Sequence, residues 1–173
     1  MQLADEIDTT PISKQQTSFA LVLALDPGEI IEYGLVMTPL GSEVEVFKRQ
    51  DWTADDKVAI DNEIALDYPN ATKLATATYN YNCHSYAWYK TSGNTWWMDF
   101  PDAYMDDGSY SKHSTPKVND KIYWEGTHSG IVKTVSGSNV TKVYSKWGAC
   151  GLYSHARDYC PYPIVLIKTY WGL

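Results

Sequence analysis

Along this chain the apolar positions follow two different periods, and the change between them outlines the elements. Phe19-Ala20-Leu21-Val22-Leu23-Ala24-Leu25 is a continuous apolar run of strand length, and a second covers 30–37. Glu43-Val44-Glu45-Val46 then alternates strictly, with Phe47 extending the pattern. A period of two puts every second side chain on one face, so 17–49 predicts strands. Asp26-Pro27-Gly28 and Pro39-Leu40-Gly41 separate them as turns. Thr53-Ala54-Asp55-Asp56 opens a helix, because Thr53 can cap it and the two Asp favour the positive end of its dipole. Val58, Ile60, Ile64 and Leu66 supply apolar content, and Tyr68-Pro69-Asn70 ends it. A short helix is expected from Cys83 to Tyr89, then a long loop over 91–115. Strands follow at 121–125, 129–135 and 140–146. Ser136-Gly137-Ser138-Asn139 closes the hairpin between the last two, and a final apolar run covers Ile164 to Tyr170.

Length and composition narrow the class. The 173 residues suit one domain, with a polar lead-in over 1–16, a β and helix extension over 17–70 and a core over 79–173. At 44% apolar and 20% charged residues, the composition is globular. A net charge of −7 without a dense Lys/Arg cluster argues against nucleic acid or an anionic membrane surface as partner. No apolar stretch reaches the ~20 residues that span a bilayer. The first apolar run follows acidic residues rather than the basic ones of a signal peptide, which leaves a cytosolic chain or a mature secreted one. Cys150 and Cys160 lie ten apart (160 − 150) around a turn-rich segment. They read either as a disulfide, which implies an oxidising compartment, or as two unpaired thiols.

The third cysteine carries the chemistry. In Tyr81-Asn82-Cys83-His84-Ser85 the thiol stands at a predicted helix start, where unpaired backbone N–H groups favour a thiolate or hold an oxyanion. Forty-five residues on (128 − 83), Thr127-His128-Ser129-Gly130-Ile131-Val132 places an imidazole at the mouth of an apolar strand. Thiolate and imidazole are the two parts a cysteine hydrolase needs. A third polar group should orient the imidazole from the neighbouring strand. With the turn centred on 137–138, the position opposite His128 is about 147 (275 − 128), within two residues, which makes Ser145 the candidate. Lys146 accepts no hydrogen bond while charged. A zinc site would need Cys83, His84, His128 and His155 to converge, but no ligand-type spacing joins them, so neither metal nor cofactor is expected.

The order of Cys, His on a strand and polar residue on the next strand resembles the papain-like cysteine peptidases and amidases of the NlpC and CHAP types. Asn82-Cys83-His84-Ser85-Tyr86 stands for the nucleophile helix, and His128-Ser129-Gly130-Ile131-Val132 for the His strand. Val118-Asn119-Asp120-Lys121-Ile122-Tyr123-Trp124 is similar to the preceding turn-and-strand element, with Asn119 where Gly is usual. The likeness covers 79–147. At the third position, where these families place His, Asn, Gln or Glu, Val143-Tyr144-Ser145-Lys146-Trp147 departs from them. The resemblance implies an α+β, papain-like fold: an antiparallel sheet of about five strands with the Cys83 helix on one face, plus the N-terminal β extension. It implies hydrolysis of a peptide or amide bond through a Cys83 thioester, with His128 as base then acid. It further implies a bacterial cell-wall peptide as substrate and a secreted or cell-envelope setting. Tyr81, Asn82 and His84 are expected at the oxyanion or cleft, Trp96 and Trp97 as a substrate platform or core plugs, and His155 at the cleft or in a surface loop. The rival functions are an inert binding module and a thiol-dependent acyltransferase or toxin acting on protein.

Overall fold

The computed structural model describes residues 26–173, so the lead-in and the apolar run at 19–25 lie outside the described residues. The chain is α+β, with a large antiparallel sheet and few helices. β1 (Ile30–Met37) and β2 (Glu43–Arg49) pair as a hairpin, with Val36 opposite Val44 and Gly34 opposite Val46. That face is buried, as the alternation requires, while Tyr33, Leu35 and Met37 are exposed on the other.

Helix α1 (Ala54–Asp67) begins with a reciprocal cap: the Asp56 N–H donates to the Thr53 hydroxyl, and the Thr53 N–H donates to the Asp56 carboxylate. Its apolar anchor is thin, since Ile64 packs against the core but Val58 and Leu66 (81%) are exposed and only Asp61 is buried. The Asp61 carboxylate instead receives Lys73 Nζ at 2.7 Å, the Thr76 hydroxyl at 2.7 Å and the Ala77 N–H at 3.0 Å. The helix is thus tied to the strand beside it by one carboxylate.

The larger sheet has seven strands rather than about five. The remaining strands are β3 (Thr72–Ala75), β4 (Ser111–His113), β5 (Lys121–Trp124), β6 (His128–Ser136), β7 (Asn139–Lys146), β8 (Leu152–His155) and β9 (Lys168–Gly172). Their order is β3-β8-β7-β6-β5-β9-β4, and every neighbouring pair is antiparallel. The hairpin turn falls at 137–138 as expected, with Ser136 opposite Asn139 and Ile131 opposite Tyr144. β3, β4 and β8 are too short to register as apolar runs. The 91–115 segment also contains a five-residue helix, α2 (Asp102–Asp106). At the end of the chain the strand is Lys168–Gly172, so the expected run from Ile164 is displaced by four residues (168 − 164). Ile164, Val165 and Ile167 are exposed.

Alternation divides the core between two faces. Tyr123 and Ile131 face one side with Val36, Val44, Val46, Tyr86 and Trp88; Ile122, Trp124, Val132, Val143 and Trp147 face the other. The N-terminal hairpin therefore shares a core with the Cys83 segment. At the centre, Gly130 on β6 leaves no room: a methyl there would stand 2.7 Å from Val143 Cγ1 and 3.1 Å from the Tyr144 carbonyl. Gly130→Ala is expected to lower stability by about 1–3 kcal/mol, through displacement of β7. An unchanged urea midpoint in the variant would show that the two strands have slack here.

Candidate active site

Cys83 opens a single irregular helical turn. Tyr86 N–H donates to Asn82 O at 3.0 Å, but Lys90 N–H reaches back five residues to Ser85 O at 2.9 Å, so the turn is wide and ends at Tyr89. The expected nucleophile helix is thus only this short π-type segment, packed on β6 and β7. Asn82 holds its start. Its Oδ1 accepts from Ser85 N–H at 3.1 Å, and its Nδ2 donates to Met98 O at 2.6 Å, binding the turn to the loop beyond it.

The Cys83 thiol is almost fully covered and forms one wall of an open cavity of ≈ 320 Å³, with Asn82, His84, Trp97, Phe100 and Tyr162 among its neighbours. Burial pushes the thiol up to about 11, outweighing the Ser129 and His84 backbone N–H groups and the Lys146 charge, which all favour the thiolate. At neutral pH Cys83 rests as the thiol.

His84 lines the same cavity and has one ring nitrogen hydrogen-bonded, whereas His155, on the other face of the sheet, has both. Trp88 Nε1–H donates to Ser129 Oγ at 2.9 Å, and Ser129 Oγ lies 2.8 Å from His84 Nδ1. Ser129 Oγ thus links the Trp88 indole to the His84 ring. The same relay recurs on the other face. Trp147 Nε1–H donates to Ser145 Oγ at 3.0 Å, Ser145 Oγ meets His155 Nε2 at 2.7 Å, and His155 Nδ1–H donates to Ala156 O at 2.7 Å. Burial pushes both His84 and His155 down to about 4, so both rings are neutral.

Ser145 therefore orients His155 rather than His128. His155 itself is a buried strand residue of β8, not part of a surface loop. His128 is 0% exposed, and neither of its ring nitrogens has a hydrogen-bond partner among the described residues. Successive residues of a strand point to opposite faces, so Ser129 meets the Cys83 turn while His128 turns the other way. There its ring lies 4.9 Å from Trp124 and is stacked 3.7 Å from Tyr162 at 13°. Burial and the neighbouring His84 and His155 hold it well below the ordinary imidazole range.

The other candidates divide. Trp97 lines the Cys83 cavity, its indole N–H on Asp99 Oδ1 at 3.1 Å. Trp96 does not; it lies under Lys48 (4.8 Å) and fills the space above Gly34 of β1. Tyr81 packs against Tyr86 (6.4 Å) and the Lys146 ammonium (5.1 Å). Cys150 and Cys160 are both free, so the disulfide is not formed, and both pack in the cluster around Trp147.

Two residues carry weight that the sequence did not suggest. Lys146 is completely buried, with Nζ donating to Thr78 O at 2.8 Å and Gly148 O at 2.6 Å, and burial pushes it down to about 7. It ties the segment leading to Cys83 to the turn after β7. Tyr162 joins the two halves of the site, since it lines the Cys83 cavity and stacks on His128. Its one sequence signal is the proline on either side.

Among the described residues no helix is long and apolar enough to cross a membrane. Compared with protein-family models, curated proteins and solved structures, the chain finds no match in any of the three.

Proposed function

We propose that this protein is a cysteine hydrolase of papain-like arrangement that cleaves peptide or amide bonds, with Cys83 as nucleophile and His128 as base. The observation that carries the reading is the orphaned His128 imidazole, stacked on the one ring, Tyr162, that also lines the Cys83 cavity. A buried polar group without a partner costs about 1–3 kcal/mol, and such costs persist where a group works rather than supports. His155, hydrogen-bonded at both ring nitrogens, is structural by the same measure. The Cys83 turn on the antiparallel β6–β7 pair, with His128 at the head of β6, is consistent with the papain-like order.

In this reaction, once the Tyr162 ring has moved off His128, the Cys83 S–H proton passes to His128, and the thiolate attacks the carbonyl carbon. The oxyanion takes hydrogen bonds from the Cys83 backbone N–H and from His84, which lines the cavity. The leaving amine takes the proton from His128, and water, deprotonated by the same imidazole, hydrolyses the thioester. Trp97 and Phe100 would receive the flanking part of a cell-wall stem peptide, the substrate that the sequence resemblance favours.

A second reading has its own observation. The thiol sits at about 11 without an imidazole in hydrogen-bond contact, as an inert binding module would have it. Alkylation of Cys83 by iodoacetamide across pH, in Tyr162→Ala, which uncovers His128, and in the same protein with His128→Ala added, separates the two. The hydrolase is expected to lose about tenfold in alkylation rate near neutrality in the double variant, and Cys83→Ala to abolish release of amine from cell-wall peptides. Identical alkylation profiles would leave the binding module.

A further inference from the structure

Residues 156–167, between β8 and β9, cross the end of the sheet over His128 and are built to present one side chain. In Cys160-Pro161-Tyr162-Pro163, each proline fixes its own φ, and Pro163 also restricts Tyr162 to extended backbone. Turns bracket the segment: Tyr159 N–H donates to Ala156 O at 2.9 Å, and Leu166 N–H to Pro163 O at 3.3 Å. The ring thus projects from a stiff stretch and lies flat on His128, 3.7 Å away. Its hydroxyl end reaches Gly148, where a methyl would stand 3.8 Å from the Tyr162 oxygen. Tyr162 therefore occupies the boundary between the Cys83 cavity and an imidazole that has no exposed surface.

We propose that residues 156–167 form a gate over the site, closed in this structure, in which Tyr162 is the plug that shuts His128 off from Cys83 and from substrate. A ring that merely steadied a working base would leave one imidazole nitrogen directed at the nucleophile. Here both nitrogens are covered, and neither reaches Cys83 Sγ or any other partner. The gate is also lightly held. Lys168 Nζ ties it through Asp158 at 3.0 Å, Ile164 O at 2.8 Å and Leu166 O at 3.3 Å, while Ile164, Val165 (90%) and Ile167 project into solvent rather than into the core. Cys160, Tyr162 and Leu166 pack on the cluster around Trp147, so it is the outer side, with its exposed apolar side chains and short polar ties, that opens locally without global unfolding. Displacement of Tyr162 would bare one face and one edge of His128 and widen the cavity toward it. The functional consequence rests on the hydrolase reading; the gate over His128 does not.

The test labels His128 with diethyl pyrocarbonate, followed by mass spectrometry, in the native protein, Tyr162→Phe and Tyr162→Ala. Labelling is expected to rise about tenfold in Tyr162→Ala and to stay within about twofold of native in Tyr162→Phe, which keeps the stack. Cys83 alkylation measured in parallel is expected to rise in Tyr162→Ala and to lose that gain in the double variant with His128→Ala. Faster His128 labelling with Cys83 alkylation unchanged supports the gate and removes the hydrolase. Labelling of His128 as slow in Tyr162→Ala as in the native protein, or a fall in Cys83 alkylation, overturns the gate. Amide exchange in the native protein tests the same point without a variant: faster exchange over 156–167 than over β6 and β7 supports it, and equal protection overturns it.

Discussion

Acidification from pH 6.5 to about 4 is expected to unfold this protein, because three of its histidines are buried as neutral rings. Burial takes His84 and His155 from 6.5 to about 4 on folding, and it also holds His128 well below its ordinary range. A group whose pKa is depressed by folding binds protons more readily in the unfolded chain. Its contribution is therefore complete above 6.5 and is lost as the pH falls through the folded value. A shift of that size is worth roughly 3 kcal/mol for each of His84 and His155. Together they match a large part of the roughly 5–15 kcal/mol that holds an ordinary domain folded. Asp51 and Asp61, whose carboxyls are lowered by their hydrogen bonds and lysine partners against the opposing effect of burial, add to the loss at still lower pH. Urea denaturation at a series of pH values checks this. A stability that is level between pH 6.5 and 4.5 would mean that the rings are solvated or charged in the folded state.

Lys146→Met is expected to change both the stability and its alkaline profile. In the native protein Lys146 falls from 10.5 to about 7, so its contribution is complete above 10.5 and lost as the pH drops through 7. Stability should accordingly rise by roughly 2 kcal/mol from pH 7 to pH 9. Cys83 opposes this only higher up, since its pKa is raised from 9.0 to about 11 and its contribution is lost as the pH climbs through that range. Met fills the same volume but leaves Thr78 O and Gly148 O without their donor. At pH 9 the variant should be less stable by roughly 2–4 kcal/mol, with the neutral-to-alkaline rise gone. A variant as stable as the native protein would show that water or a backbone shift satisfies those carbonyls. Since Gly148 seats the Tyr162 hydroxyl end, the variant should also loosen the gate, and His128 labelling reads this directly.

Much of the architecture is legible in the chain without coordinates, wherever the physics is local. The β1 and β2 alternation, the Thr53 cap, the hairpin at 137–138 and the strand carrying His128 each depend on residues within a few positions of one another. Cys83 at the head of a helical turn belongs to the same class, since the Asn82 side chain starts that turn locally. The strands that pass unnoticed, β3, β4 and β8, are 4, 3 and 4 residues long. They exist because longer neighbours supply their hydrogen-bond partners.

The partner of each polar group is another matter. Ser145 stands where the register places it, yet its hydroxyl proton goes to His155, since β8 brings a second imidazole to the same face. Cys150 and Cys160 share a cluster without a bond, and Trp96 serves the hairpin rather than the cavity. A strand dictates that adjacent side chains face opposite ways, which is why Ser129 meets the Cys83 turn while His128 does not. What covers His128 on its own face is Tyr162, 34 residues further on (162 − 128), and no spacing rule predicts it. Periodicity and capping are short-range effects written into neighbouring residues. Burial, hydrogen-bond satisfaction and the pKa of a buried ring depend on every element that packs there, and for this site they take their values only once the sheet has assembled around it.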